Sequence, residues 1–368
     1  MCGAVVNSSR HVYGHAMLKP RESIAALDQY RSPIASREGL SLDLNENLAG
    51  CSSRVLARLR TLSSEDIARY PQREIGERLV ATFLGVDPEQ VLLTNGVDET
   101  LCLLFSTYLR EGSELIFSDP TFVMYPIFGQ AFGAQLVRVP AGEDLAFPAA
   151  EILSSISPRT QLIAIANPNN PSGTVASRAD LRRIVEAAPD AAVLIDEAYF
   201  DFYGETMLGE LPRHQNLFVA RTFSKAYGLA GLRLGALIGP TEQIGLIRRF
   251  CSPFNVNAVA LACLEEALAD QAFVREYIAQ VKQGREQIAR LCQELGLRCW
   301  PSSANFVLVQ VGKSVGAFVE AMQRRGIMIR DSSANPGCEG CVRITVPVSQ
   351  QINGVLKAIR QTLQEMQS

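Results

Sequence analysis

The sequence predicts an α/β protein: a mostly parallel, doubly wound sheet flanked by helices, with a smaller α+β unit attached. Three observations lead there. Strand-length apolar runs alternate with helix-period stretches through the middle of the chain. Those runs are continuously apolar, as in strands covered on both faces. After about Pro253 the pattern changes to a long helical stretch followed by short strands. At 368 residues the chain is long enough for two domains, and the division expected is 51–255 for the large unit, with 1–50 and 256–368 forming the small one.

In chain order, strands are expected at 90–93, 114–117, 135–139, 162–166, 192–195 and 217–220. Helical periodicity covers 73–84, 99–109, 122–132 and 179–188. A further strand at 234–238 follows its predecessor after roughly a dozen residues, too few for a crossover helix, so it is expected to run antiparallel. Beyond it, a helix covers 256–295, rich in Ala, Leu, Glu and Gln. Strands follow at 305–309, 327–330 and 342–346, with a closing C-terminal helix. The segment before residue 50 is expected to pack on this second unit.

Composition narrows the function. Apolar residues are 47% and charged residues 20%, as in a soluble globular protein. A net charge of −3 and a pI near 5.8 give no general attraction to nucleic acid or anionic membranes. No run approaches the ~18 apolar residues of a membrane span, and with no basic segment leading into an apolar stretch at the N-terminus, no signal peptide is expected. Nine scattered cysteines fit a reducing cytoplasm. Cys338 and Cys341 read as two thiols in a Gly-rich turn, since no second pair stands at zinc-binding spacing. Only His11, His15 and His214 are present, without helical metal-ligand spacing. Gly312-Lys313-Ser314 imitates the end of a P-loop, but Val307 stands where its first glycine belongs.

Four segments carry chemistry, each after an expected strand. Thr222-Phe223-Ser224-Lys225 is followed by Gly228 and Arg233. Hydroxyls with an arginine suit a phosphate ester, and a lysine beside them, kept partly unprotonated, attacks an aldehyde. Asp196 ends a buried strand where ligands bind in open α/β sheets. A pyridinium would be a fitting partner for it, and a helix N-cap is the alternative. Asn170 lies in a loop fixed by Pro168, Pro171 and Gly173, able to donate to a phenolate-type oxygen or simply to shape a turn. Gly96, Val97 and Asp98 open a helix whose free N–H groups form a second phosphate arm, although an acid there is also an ordinary cap.

Together these pieces resemble fold-type I pyridoxal-phosphate (PLP) enzymes, and more closely the histidinol-phosphate aminotransferase branch. The similarity runs from about Leu42 to the C-terminus. It includes DLNEN (43–47), RYP (69–71), TNGVDE, DPTFVMY (119–125), ANPNNPSGT, DEAYFDF, RTFSKAYGLAGLRLG, SANF (303–306), IMIRD (327–331) and CVRITV (341–346).

The resemblance implies that Lys225 bonds the cofactor and later moves the substrate proton, and that Asp196 pairs with the ring nitrogen. It implies that Asn170 and Tyr199 bond the ring oxygen and that Tyr125 stacks on the ring. Val97, Asp98, Thr222, Ser224 and Arg233 would hold the cofactor phosphate, with Tyr70 reaching that of a neighbouring subunit in a homodimer. Arg343 would take the substrate carboxylate, Arg330 and Tyr30 a substrate phosphate, and Asn305 would line the same side. The substrates implied are an amino donor, histidinol phosphate first and aromatic or other amino acids next, and a 2-oxo acid such as 2-oxoglutarate. A phosphothreonine-type decarboxylase would share the scaffold. A cofactor-sensing transcription factor would need an added helix-turn-helix domain. The family's Asn-Glu-Asn-Pro-Tyr reads Asn45-Glu46-Asn47-Leu48-Ala49 here, which bears on substrate more than on cofactor.

Overall fold

The computed structural model describes residues 18–29 and 38–367. Tyr30 lies outside the described residues. Seven strands build the central sheet: β1 (Val91–Thr94), β2 (Glu114–Asp119), β3 (Gln135–Pro140), β4 (Thr160–Ala166), β5 (Ala192–Asp196), β6 (Leu217–Thr222) and β7 (Gly235–Ile238). Their spatial order is β1-β7-β6-β5-β4-β2-β3. Every pairing is parallel except those of β7, which runs antiparallel to both β1 and β6. The short β6–β7 connection, which carries Lys225, therefore acts as the expected hairpin-like link.

The pleat sorts the side chains of the sheet. Leu92, Leu194, Phe218 and Leu237 point into one buried cluster, with Leu101, Leu104 and Phe105 of helix α1 (Val97–Tyr108). Val91, Leu93, Val193, Ile195, Val219 and Ile238 point into the other. Alternate residues of a strand face opposite ways, so two apolar faces require two covering layers. The second cluster continues into helices α2 (Ala258–Ala269) and α3 (Gln271–Glu294) and the second sheet.

That second sheet contains β8 (Arg298–Cys299), β9 (Phe306–Gln310), β10 (Arg330–Asp331) and β11 (Cys341–Thr345), in the order β10-β11-β9-β8, all antiparallel. The expected strand at 327–330 is divided. Ile327–Met328 pairs in parallel with Leu40–Ser41, and Arg330–Asp331 pairs with β11. Residues 40–42 thus bond to these strands through the backbone, including Thr345 N–H to Leu42 O at 2.8 Å. The helix expected over 256–295 is two helices. Asn257 caps α2 through the Ala260 N–H at 2.7 Å, and Asp270 caps α3 through the Phe273 N–H at 3.2 Å. An Ala- and Leu-rich pattern hides such a joint, because capping carboxylates and amides also occur on exposed helix faces.

Candidate active site

A cavity of about 600 Å³ opens at the C-terminal ends of the parallel strands, where open α/β sheets bind their ligands. Val97, Asp98, Asn170, Asp196, Tyr199, Thr222, Ser224, Lys225, Arg233, Arg330 and Arg343 all line it. Residues far apart in sequence are thus gathered from both sheets, Asn45 and Glu46 joining them from the strap before residue 50.

Lys225 follows β6 and its Nζ donates to the Leu44 carbonyl at 3.0 Å. Its pKa is lowered to about 8, chiefly because burial penalises the ammonium, with the Arg343 guanidinium adding repulsion. Asp196 ends β5 and is 4% exposed. Burial pushes its carboxyl up to about 6, against hydrogen bonds from the Tyr125 hydroxyl at 2.9 Å and the Ala198 N–H at 3.1 Å. The next residue, Glu197, turns the other way and takes the Arg221 guanidinium at 2.8 Å. Strand alternation therefore leaves Asp196 as the carboxylate that faces the cavity.

An anion cradle lies at the other end. Arg233 lies against Gly96, where a Cβ would come within 2.5 Å of Nη2, and Gly96 itself has φ +79°. The guanidinium pairs with Asp98 at 3.0 Å. The Val97 and Asp98 N–H groups open helix α1 toward the cavity, and Thr222 and Ser224 complete the rim. Across the cavity, Arg343 donates to Asn170 Oδ1 at 2.6 Å and to the Asp43 carbonyl at 2.5 Å. With Oδ1 engaged by a donor, the Asn170 NH₂ is the end left for a ligand oxygen. Arg330 stands directly opposite Arg343 across the β10–β11 pair.

Two expectations need correction. Tyr125 does not stack in the cavity; it is fully buried behind Asp196, its hydroxyl on that carboxylate. Phe122, three residues earlier in the same segment, is the aromatic on the cavity wall. A helix begins between the two positions, at Met124, so Phe122 stays in the loop at the strand ends while Tyr125 is carried into the core. Asn305 is fully buried and is not part of the wall; its Nδ2 supports the Asn45 carbonyl from behind at 3.1 Å. Tyr70, expected to serve a neighbouring subunit and not this cavity, is 79% exposed and stacked on Phe254 at 4.3 Å. Sequence reasoning passed over Phe122, Asn45, Ser332 and Asn335, although the first two lie in motifs it had singled out.

The residues fit PLP. A buried carboxylate with a raised pKa gains from a pyridinium, a depressed lysine from an aldehyde, and an N–H-rich helix terminus with an arginine from a phosphate. The match to known proteins agrees. A family model described as aminotransferase class I and II matches residues 37–359. The chain belongs to that family and is a pyridoxal 5′-phosphate-dependent transaminase of fold type I.

Within the family it is similar to histidinol-phosphate aminotransferases. It is 34% identical to a histidinol-phosphate aminotransferase 1 of Bacillus cereus over 333 residues, 89% of each chain. It is also 34% identical to the histidinol-phosphate aminotransferase of a Geobacillus species over 360 residues, 95% of this chain and 97% of that one. The crystal structure of histidinol-phosphate aminotransferase from Sinorhizobium meliloti in complex with pyridoxal-5′-phosphate superposes with a TM-score of 0.86. The identity there is 25%, and the match covers 95% of this chain and 99% of that one.

Proposed function

We propose that the chain transfers the amino group of histidinol phosphate to 2-oxoglutarate. The observation that carries this reading is the Arg330–Arg343 pair, two arginines in direct register on neighbouring strands and both on the cavity wall. Like charges in that register are unfavourable by themselves. A dianion between them reverses the sign, and guanidiniums suit phosphate and carboxylate oxygens alike. A phosphate ester supplies two charges on one group, and 2-oxoglutarate supplies two carboxylates.

When bound, PLP supplies an aldehyde that condenses with amines and a ring that takes up the electron pair left at Cα. The chain's own residues do the rest. Arg233, Thr222, Ser224 and the Val97 and Asp98 N–H groups hold the cofactor phosphate. Asp196 keeps a proton on the ring nitrogen, while Asn170 and Tyr199 donate to the ring oxygen. Phe122 covers the ring in the role first expected of Tyr125. Lys225 Nζ, its pKa lowered to about 8 by burial, would take the proton from the substrate Cα and return it at C4′ of the cofactor. Arg330 and Arg343 orient the substrate so that this proton faces Nζ.

A homodimer with shared sites is part of the proposal. Tyr70 and Phe254 form an exposed aromatic pair suited to cover by a second copy, with Tyr70 reaching the neighbouring cofactor phosphate. The division into a large unit at 51–255 and a small unit from 1–50 and 256–368 is likewise proposed. No described helix is long and apolar enough to cross a membrane. The eight described cysteines are free thiols, which supports a reducing, cytoplasmic setting.

The test is a panel of amino donors added to the PLP-loaded protein, followed by stopped-flow absorbance. Histidinol phosphate is expected to convert the lysine-bound cofactor to its amine form fastest. Conversion by an aromatic amino acid but not by histidinol phosphate would overturn the substrate assignment. Release of carbon dioxide in place of a keto product would favour a decarboxylase.

A further inference from the structure

We propose that Asn45 is a positioning residue that sets the direction of the Tyr199 hydroxyl proton, an inference that rests on PLP binding beside Lys225. The direction follows from a chain of hydrogen bonds that begins at the backbone. The Asn45 N–H donates to Thr345 Oγ1 at 3.0 Å. An amide N–H only donates, so the Thr345 hydroxyl is an acceptor there and sends its own proton elsewhere. That proton goes to Asn45 Oδ1, 3.2 Å away. With Oδ1 fixed as an acceptor, the Asn45 amide presents Nδ2 to Tyr199 Oη at 2.9 Å. An NH₂ group also only donates, so the tyrosine oxygen accepts. The Tyr199 proton must then turn away from Asn45, and Tyr199 lines the cavity shared with Lys225.

The relay is held rigidly. Asn45 has φ +55° and is 1% exposed, while Thr345 and Asn305 are fully buried. Asn305 Nδ2 donates to the Asn45 carbonyl at 3.1 Å. An unmade bond at such a depth is costly, and that cost keeps the order from reversing. Asn45 touches Tyr199 and acts through it.

The consequence is spectroscopic. A phenol that donates to the ring oxygen draws electron density from it and weakens its grip on the proton shared with Lys225 Nζ. The pH at which the visible band of the lysine-bound cofactor titrates is thereby held down. The experiment is a spectrophotometric pH titration of the PLP-loaded protein as wild type, Asn45→Ala, Tyr199→Phe, the double variant and Thr345→Val.

Asn45→Ala is expected to raise the midpoint by about one pH unit, the scale of one hydrogen bond to a charged group. In the Tyr199→Phe background it is expected to add nothing, because the two act on one bond. Thr345→Val, which removes one hydroxyl at similar volume, should shift the midpoint the same way by less. An unchanged midpoint in both single variants of the relay, or equal shifts in both backgrounds, would overturn the proposal. If Asn45→Ala does not load cofactor, Thr345→Val decides alone. A wild-type protein with no visible band lost on Lys225→Ala would instead overturn the cofactor reading beneath it.

Discussion

Asp196 shows how a site residue can oppose the stability of its own fold. Its carboxyl is pushed up to about 6 by burial, against 3.8 in the unfolded chain. The folded chain therefore binds a proton more readily than the unfolded chain between those values. Stability falls as pH rises through that window, and the unfavourable contribution is fully present above about 6. Asp196→Asn removes it, so the cofactor-free variant is expected to be more stable than wild type at pH 7 by roughly 1–3 kcal/mol. The gap should close as pH falls toward 4 in urea denaturation, while the variant loses its hold on PLP. Equal stability at pH 7 would show that the carboxylate is not strained. At this scale Lys225, Asp196 and Arg233 were legible in the sequence because strand ends and hydroxyl-rich turns announce them. Tyr125 was misassigned because two aromatics three residues apart look equivalent until the start of the helix is placed between them. Asn45 stayed hidden because its partners lie 154 and 300 positions away.

Among the elements, the strap before residue 50 and the Lys225 loop are the pair on which the site depends. Asn47 Nδ2 donates to the Ala226 carbonyl at 2.9 Å, and Leu44 O receives Lys225 Nζ. The strap approaches so closely that a Cβ at Gly228 would come within 1.9 Å of Gly50 O, and Gly228 has φ +69°. Gly228→Ala is therefore expected to push strap and loop apart, costing on the order of 1–3 kcal/mol in thermal or urea unfolding and lowering PLP retention. A variant with wild-type stability and full cofactor retention would show that this contact is dispensable. The antiparallel β7 could be read from the length of its connection, a local constraint. The break at Asp270 and the division of the 327–330 strand could not, because a cap bonded to Ser52 and a strand shared between sheets depend on distant partners.

The whole molecule puts its reacting groups where two sheets contribute to one cavity. The parallel sheet contributes Asp196, Asn170, Lys225 and the anion cradle, and the antiparallel sheet contributes Arg330 and Arg343. Alternating apolar strands and helices made the first sheet predictable, since both faces must be covered. The facing of the arginines emerges only when β10 and β11 pair. The central claim is that Lys225, and no other amine, bonds the cofactor. Its most direct test is borohydride reduction of the PLP-loaded protein followed by peptide mass mapping. The account predicts a pyridoxyl group on Lys225 alone, absent from Lys225→Ala. A label on Lys19, Lys282, Lys313 or Lys357, with Lys225 unmodified, would contradict it.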